Sequence, residues 1–159
     1  MKTRSYAHGR GAIPLLGETI TQNLLRTCQK FSQREALVSV HQNYSATYAQ
    51  LWEQVEIVAK AFLAIGVQKG DRAALWAPNC FERVLVQCAT ARIGAILVNV
   101  NPAYRTSEPA YVLGQSGTSV IVSAVSFKGS SYKDMINEAK WPCERLREII
   151  YLRKTGKVF

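Results

Sequence analysis

The sequence is short of histidine, of paired cysteines and of long apolar runs, and each shortage excludes a class of protein. Only His8 and His41 are present, and Cys28, Cys80, Cys88 and Cys143 form no C-x-x-C pair. Neither a zinc site nor a disulfide framework has its spacing here. No apolar stretch reaches the ~18–20 residues that a membrane-spanning helix requires. The N-terminal "MKTRSYAHGRGAIPLLG" has early cations but no apolar segment long enough for a secretory signal. A reduced, soluble, cytoplasmic chain is the expectation.

Acidic residues are also scarce, 11 Asp and Glu against 20 Lys and Arg, giving a formal charge of +9. The excess is not concentrated. Residues 1–35 carry +4, residues 36–123 carry +1 and residues 124–159 carry +4. Lys128, Lys133, Lys140, Arg145, Arg147, Arg153, Lys154 and Lys157 are spread through sequence of mixed sign rather than gathered on one stripe with interleaved aromatics. That pattern predicts a solvated basic surface and no nucleic-acid partner. With 48% apolar residues in 159, the chain can build one domain with a real core, and disorder is excluded.

The apolar residues fall in alternating periods. In "ETITQNLLRTCQKF", Ile20, Leu24, Cys28 and Phe31 share one helical face behind a Thr19 N-cap. "ALVSV" and "YSATY" flank "HQN", which reads as a hairpin although the favoured Asn-Gly pair is missing. Thr47 and Gln50 then form a capping box. The helix behind it presents Leu51, Val55, Val58, Phe62 and Ile65, and Gly66 closes it. "RAALWA" is a strand stopped by Pro78, in which Trp76 reads as core. Asn79 and Glu82 are positioned to cap a helix carrying Val84, Leu85, Cys88, Ala89 and Ile93, with Gly94 at its end. "AILVNV" has so little alternation that it reads as a strand covered on both faces. Ser107 opens a shorter helix ended by Gly114 or Gly117, and Pro109 is harmless in its first turn. "TSVIVS", the helical "SSYKDMINEAK" and "REIIYL" complete the series.

Strands separated by helices predict parallel pairing with right-handed crossovers. The expected fold is α/β, a partial doubly wound and mostly parallel sheet with βα repeats, preceded by an N-terminal helix and a β-hairpin. Its expected divisions are an arm (1–17), a helix-hairpin-helix unit (18–70) and the βα repeats (71–159). Ligands of such sheets gather at the carboxyl ends of the strands. Two loops lie there, Ala77-Pro78-Asn79 and Asn101-Pro102-Ala103-Tyr104-Arg105.

The stretch from "SATYAQLWEQ" through "ARIGAILVNVNPAYR" to "SGTSVIVS" resembles the start of AMP-forming acyl-CoA synthetases, within the adenylate-forming superfamily. The likeness runs from about Leu16 to Leu152. "ATYAQL" looks like the family's first core motif, "ARIGAILVNVNPAYR" like its second, and Asn-Pro-Ala-Tyr-Arg like its fatty-acyl branch. Pro109 departs from the leucine commoner there. The resemblance implies a fatty acid–CoA ligase. A carboxylate attacks the α-phosphate of ATP, aided by Mg2+, and the thiol of CoA then displaces AMP from the acyl-adenylate. In such a cleft Asn101, Tyr104 and Arg105 are candidates to shape the acyl or CoA side, the alternative being that they anchor the following helix. No catalytic or metal-binding residue is assigned.

The family's phosphate-binding Ser/Thr/Gly loop, its magnesium-binding glutamate, its ribose-binding aspartate and its mobile C-terminal lysine all lie downstream of these motifs. No G-x-x-x-x-G-K-[ST] is present either, and "SFKGSSYKD" reads as an ordinary capped turn. The expectation is an N-terminal fragment of the family's large N-terminal domain, inactive alone. Its partners would be the remainder of the synthetase or, through an exposed sheet edge, a second copy. The alternative is a small flavodoxin-like binding or regulatory module without catalysis.

Overall fold

The computed structural model describes residues 9, 11, 15–138 and 143–152. Most of the N-terminal arm, the end of the predicted "SSYKDMINEAK" helix and the basic residues Arg153, Lys154 and Lys157 lie outside the described residues. Helix α1 (Ile20–Lys30) and α2 (Tyr48–Ala64) each begin with a reciprocal capping box. In α2 the Gln50 amide accepts its bond from Thr47 N at 2.8 Å, and Thr47 Oγ1 accepts from Gln50 N at 3.3 Å. Between them β1 (Glu35–Ser39) and β2 (Tyr44–Thr47) pair antiparallel around a 3₁₀ turn, Val40–Gln42. Asn43, at φ 49°, supplies the left-handed residue that a missing glycine would have provided.

The main sheet contains β3 (Arg72–Trp76), β4 (Ile96–Val100), β5 (Val120–Ala124) and β8 (Glu148–Leu152), in the order β4-β3-β5-β8. Every pairing is parallel. Helix α3 (Phe81–Ile93) joins β3 to β4, and α4 (Ser107–Ser116) joins β4 to β5. A two-residue ladder, β6 (Ser126–Phe127) with β7 (Ser130–Ser131), and α5 (Tyr132–Glu138) lead to β8. Leu51, Val55, Val58 and Phe62 of α2 and Leu85, Val86 and Ala89 of α3 pack on one face with Ala73, Leu75 and Val122. Leu113 of α4 and Tyr132 and Ile136 of α5 pack on the other with Ala74, Trp76 and Ile121. Each buried Leu or Val contributes about 1.5–3 kcal/mol of transfer free energy.

Three expectations need correction. Strand β4 is an edge strand, and Ile96 is 53% exposed. Its apolar run packs on both faces, Leu97 on one side and Val98 and Val100 on the other, but the edge position leaves that cover incomplete, whereas β3 and β5 are buried on both faces. Ile20 is exposed, so the packed stripe of α1 begins at Leu24. Asn79 does not cap α3. The N-cap is Cys80, without a side-chain bond, and the Phe81 amide is instead satisfied by Gln42 from the hairpin. The β6–β7 ladder was not foreseen; its turn uses positive φ at Lys128 and Gly129, the pairing that a two-residue hairpin loop requires.

A charged network ties the amino end of the sheet together. Arg72 donates to three carbonyls, Nε to Ser116 (2.9 Å), Nη1 to Gly70 (2.9 Å) and Nη2 to Gly117 (3.2 Å). A Cβ on Gly117 would press on Arg72 Nη2 at 3.0 Å and displace it slightly, and its φ of +61° favours glycine. Asp71 accepts from the Gln68 amide at 3.0 Å and from Arg147 Nη2 at 2.6 Å, which also donates to Gly66 O. The backbone amide first, and Arg147 second, hold the Asp71 carboxyl below its usual value. A folded-state value depressed below the unfolded one adds stability above the unfolded value, and that stability is lost as pH falls through the folded value. Asp71→Asn is therefore expected to destabilise the chain at pH 7 and to differ less from the parent at acid pH, in urea melts across that range.

Candidate functional site

The connections leaving β3 and its neighbours diverge. From β3 the chain turns to α3 on one face, while β4 and β5 both lead to helices on the other. This divergence is the topological switch point of a doubly wound sheet, where a crevice opens beyond the carboxyl ends of the strands. Its lips are the β3–α3 loop (Ala77–Cys80), the β4–α4 loop (Asn101–Thr106) and the segment after β5.

Beneath the lips lies a buried aromatic pair. Trp76 and Tyr132 are completely buried and stack with ring centroids 4.1 Å apart and planes within 8°. Trp76 Nε1 donates to Asn101 O at 3.2 Å, and the Tyr132 hydroxyl donates to Pro102 O. Two aromatic residues, one ending β3 and one opening α5, thus tie down the Asn-Pro turn through consecutive carbonyls. Burial raises the Tyr132 phenol, so it remains a donor at neutral pH. Arg83 braces the other lip, with Nη1 donating to Ala77 O at 2.6 Å and Nη2 to Asn99 Oδ1 at 3.3 Å.

The three candidate residues lie together on the β4–α4 lip. Asn101 Oδ1 accepts from Ala103 N at 2.9 Å, an Asx turn. Tyr104 is half-buried against the Trp76 cluster. Arg105 turns back on its own loop and donates through Nη1 to Ala103 O and Tyr104 O at 2.9 and 3.1 Å. Its amide donates to Glu108 Oε2 at 3.0 Å, and that bond heads the causes lowering the Glu108 carboxyl. These polar groups are spent internally, on shaping the loop and starting α4.

On the far lip, Glu82 is buried and accepts from Gln42 Nε2 at 2.8 Å. Cys80 stands beside it, its thiol pushed up to about 11, chiefly by burial. That shift disfavours the thiolate a nucleophile needs. Among the described residues no group of three or more His, Cys, Asp or Glu could hold a metal ion.

A model of AMP-binding enzymes matches residues 24–156. The chain belongs to that family. It is 44% identical over 134 residues to the medium-chain acyl-CoA ligase ACSF2, mitochondrial, of Mus musculus, and 42% identical over 134 residues to that of Homo sapiens. Each alignment takes in 84% of this chain and 22% of the relative, so the chain spans about a fifth of the ligases' length. Among solved structures, the fatty acyl CoA synthetase of Mycobacterium tuberculosis superposes with a TM-score of 0.77 at 26% identity, covering 84% of this chain and 26% of that one. The N-terminal domain of FACL13 from the same organism gives 0.77 at 25% identity, covering 87% and 34%. The α/β fold with its parallel sheet, preceded by a helix and hairpin, is the fold of this family's N-terminal region.

Three residues with structural roles at the site were not recognised in the sequence. Gln42 and Arg83 act through partners 39 and 16 positions away, and no local pattern announces either. Tyr132 carried a faint signal, being the one aromatic residue in "SSYKDMINE". Tyr132→Phe removes the donor to a carbonyl packed beneath the crevice and is expected to cost about 1–1.5 kcal/mol in urea denaturation. A change within error would show that the Pro102 carbonyl finds another partner.

Proposed function

We propose that this chain is the N-terminal portion of an AMP-forming fatty acid–CoA ligase and supplies its scaffold without its chemistry. The supporting observation is the mismatch of coverage, with the family match occupying residues 24–156 here but the ligases extending about five times further. In the whole enzyme the reactants would be ATP with Mg2+, a fatty acid and CoA. These anions meet only if cations and oriented amides offset their charge. At the carboxyl end Arg105 Nη1 donates to carbonyls of its own loop and the buried Glu82 accepts from Gln42, so part of the local charge is used within the chain. The contribution assigned to this segment is positional. It holds the β4–α4 lip rigid on the Trp76–Tyr132 stack so that catalytic groups from elsewhere can close over it. Within this reading 1–17 is an arm, 18–70 a supporting helix-hairpin-helix unit and 71–159 the βα repeats.

Asn101, Tyr104 and Arg105 are the residues we place beside the acyl or CoA group. Among the described residues no helix is long and apolar enough to cross a membrane. We propose a cytoplasmic location; the mammalian relatives, by contrast, are named as mitochondrial proteins. The purified chain, given ATP, Mg2+, CoA and octanoate, is expected to release no pyrophosphate above a heat-treated control. Sustained, fatty-acid-dependent release would refute the division of labour.

Among the described residues both outer strands keep one free edge, β4 beside the exposed Ile96 and β8 beside the exposed Ile149. Unpaired edges recruit other chains. The isolated chain is expected to show concentration-dependent association in sedimentation velocity. A monodisperse monomer across a hundredfold concentration range, on the order of the span that separates weak from tight association, would refute it.

A further inference from the structure

The β1–β2 hairpin is firmly attached at its base and thinly attached at its tip. At the base Ala46 is buried, Tyr48 N donates to Arg34 O at 3.0 Å and Ala49 N to Ser32 O at 2.9 Å. Halfway up, the Tyr44 hydroxyl donates to Gln54 Oε1 at 2.7 Å and its ring stacks on Phe81 at 3.8 Å. At the tip the apolar side chains give no anchorage, Val38 being 51% and Val40 87% exposed. A space of about 230 Å³ separates the tip from the β3–α3 loop, lined among others by Ser39, His41, Asn79 and Cys80. Only Gln42 joins tip to α3 by hydrogen bonds among the described residues. Its Oε1 accepts from Phe81 N at 2.8 Å and from Ser39 Oγ at 2.7 Å, and its Nε2 donates to Glu82 Oε2 at 2.8 Å.

We propose that the hairpin is a strap across the β3–α3 lip of the crevice and that Gln42 is its latch. Helix α3 has no cap of its own, so an unlatched tip leaves the Phe81 amide and the buried Glu82 carboxylate without this partner. Hairpin tip and lip therefore open together, and the opening uncovers Cys80. The device operates in this chain whatever reaction the longer protein performs.

Iodoacetamide labelling of the full chain, with each cysteine followed by peptide mass mapping, tests this. Gln42→Ala is expected to raise the Cys80 rate about tenfold, the equivalent of one lost hydrogen bond to a buried group. Cys28 and Cys143, both buried on other elements, should stay within about twofold. The exchanged pair Q42E with E82Q should restore slow labelling, because a carboxylate at 42 still accepts from the Phe81 amide while an amide at 82 donates back. An unchanged Cys80 rate, a parallel rise at all four cysteines, or failure of the exchanged pair to restore protection overturns the proposal. In the unmodified chain, the amides of Phe81 and Asn43 should exchange with solvent at one shared rate, at least about tenfold faster than those of β5. Exchange of Phe81 at the rate of the β5 core would overturn it independently of any variant.

Discussion

Strand β3 is bonded on both sides and buried on both faces, and the arrangement of the remaining elements depends on that. Ala73 and Ala74 are small enough for layers on each face to approach the sheet, while Leu75 and Trp76 fill the space where the layers diverge. Two parallel neighbours force every connection to cross over the sheet, and the right-handed sense of crossover then sends β3 to one face and β4 and β5 to the other. The crevice at the carboxyl ends is a geometric consequence of that reversal. No residue of the lips creates it.

A crevice produced by topology still needs fixed walls. Trp76 meets both needs, as the last residue of the central strand and as a donor to the Asn101 carbonyl through its indole. Tyr132 arrives from α5, stacks on the same ring and binds the next carbonyl, that of Pro102. Proline contributes no amide, so the turn is stabilised through its carbonyls and through the Asn101 side chain. Two rings buried together are costly to displace, and the loop they hold inherits their rigidity. An Asn-Pro pair following an aliphatic strand is thus intelligible physically: the strand ends where its ladder ends, and its turn is bound to the core by aromatic donors.

Much of this was legible before the coordinates. Short apolar runs bounded by turn residues locate the four sheet strands and period-3.6 patterns the five helices, because both are local properties of sequence. Thr47 with Gln50 announced its capping box, both partners lying within one turn. The failures share a cause. Whether "AILVNV" is central or at an edge depends on strand order, which periodicity does not encode. Asn79 was the obvious cap for α3 by adjacency, but Gln42 does that work from the hairpin, 39 residues earlier. At the site, Asn101, Tyr104 and Arg105 fell on one lip as their spacing required, while Arg83 and Tyr132 become visible only once the elements are assembled.

The proposed division between scaffold and chemistry rests on how the polar groups are used. A side chain that binds a transferable phosphate must keep donors free for it until it arrives. Here the Arg105 guanidinium is turned to two carbonyls of its own loop, Arg83 to Ala77 and Asn99, and Arg72 to three carbonyls at the opposite end of the sheet. Cations used in this way hold backbone in place, and recruiting them to a ligand would loosen the loops that define the crevice. A segment whose charges are committed to its own architecture is suited to hold one wall of an active site. The cations and acids that move with the reaction are better placed on elements free to move.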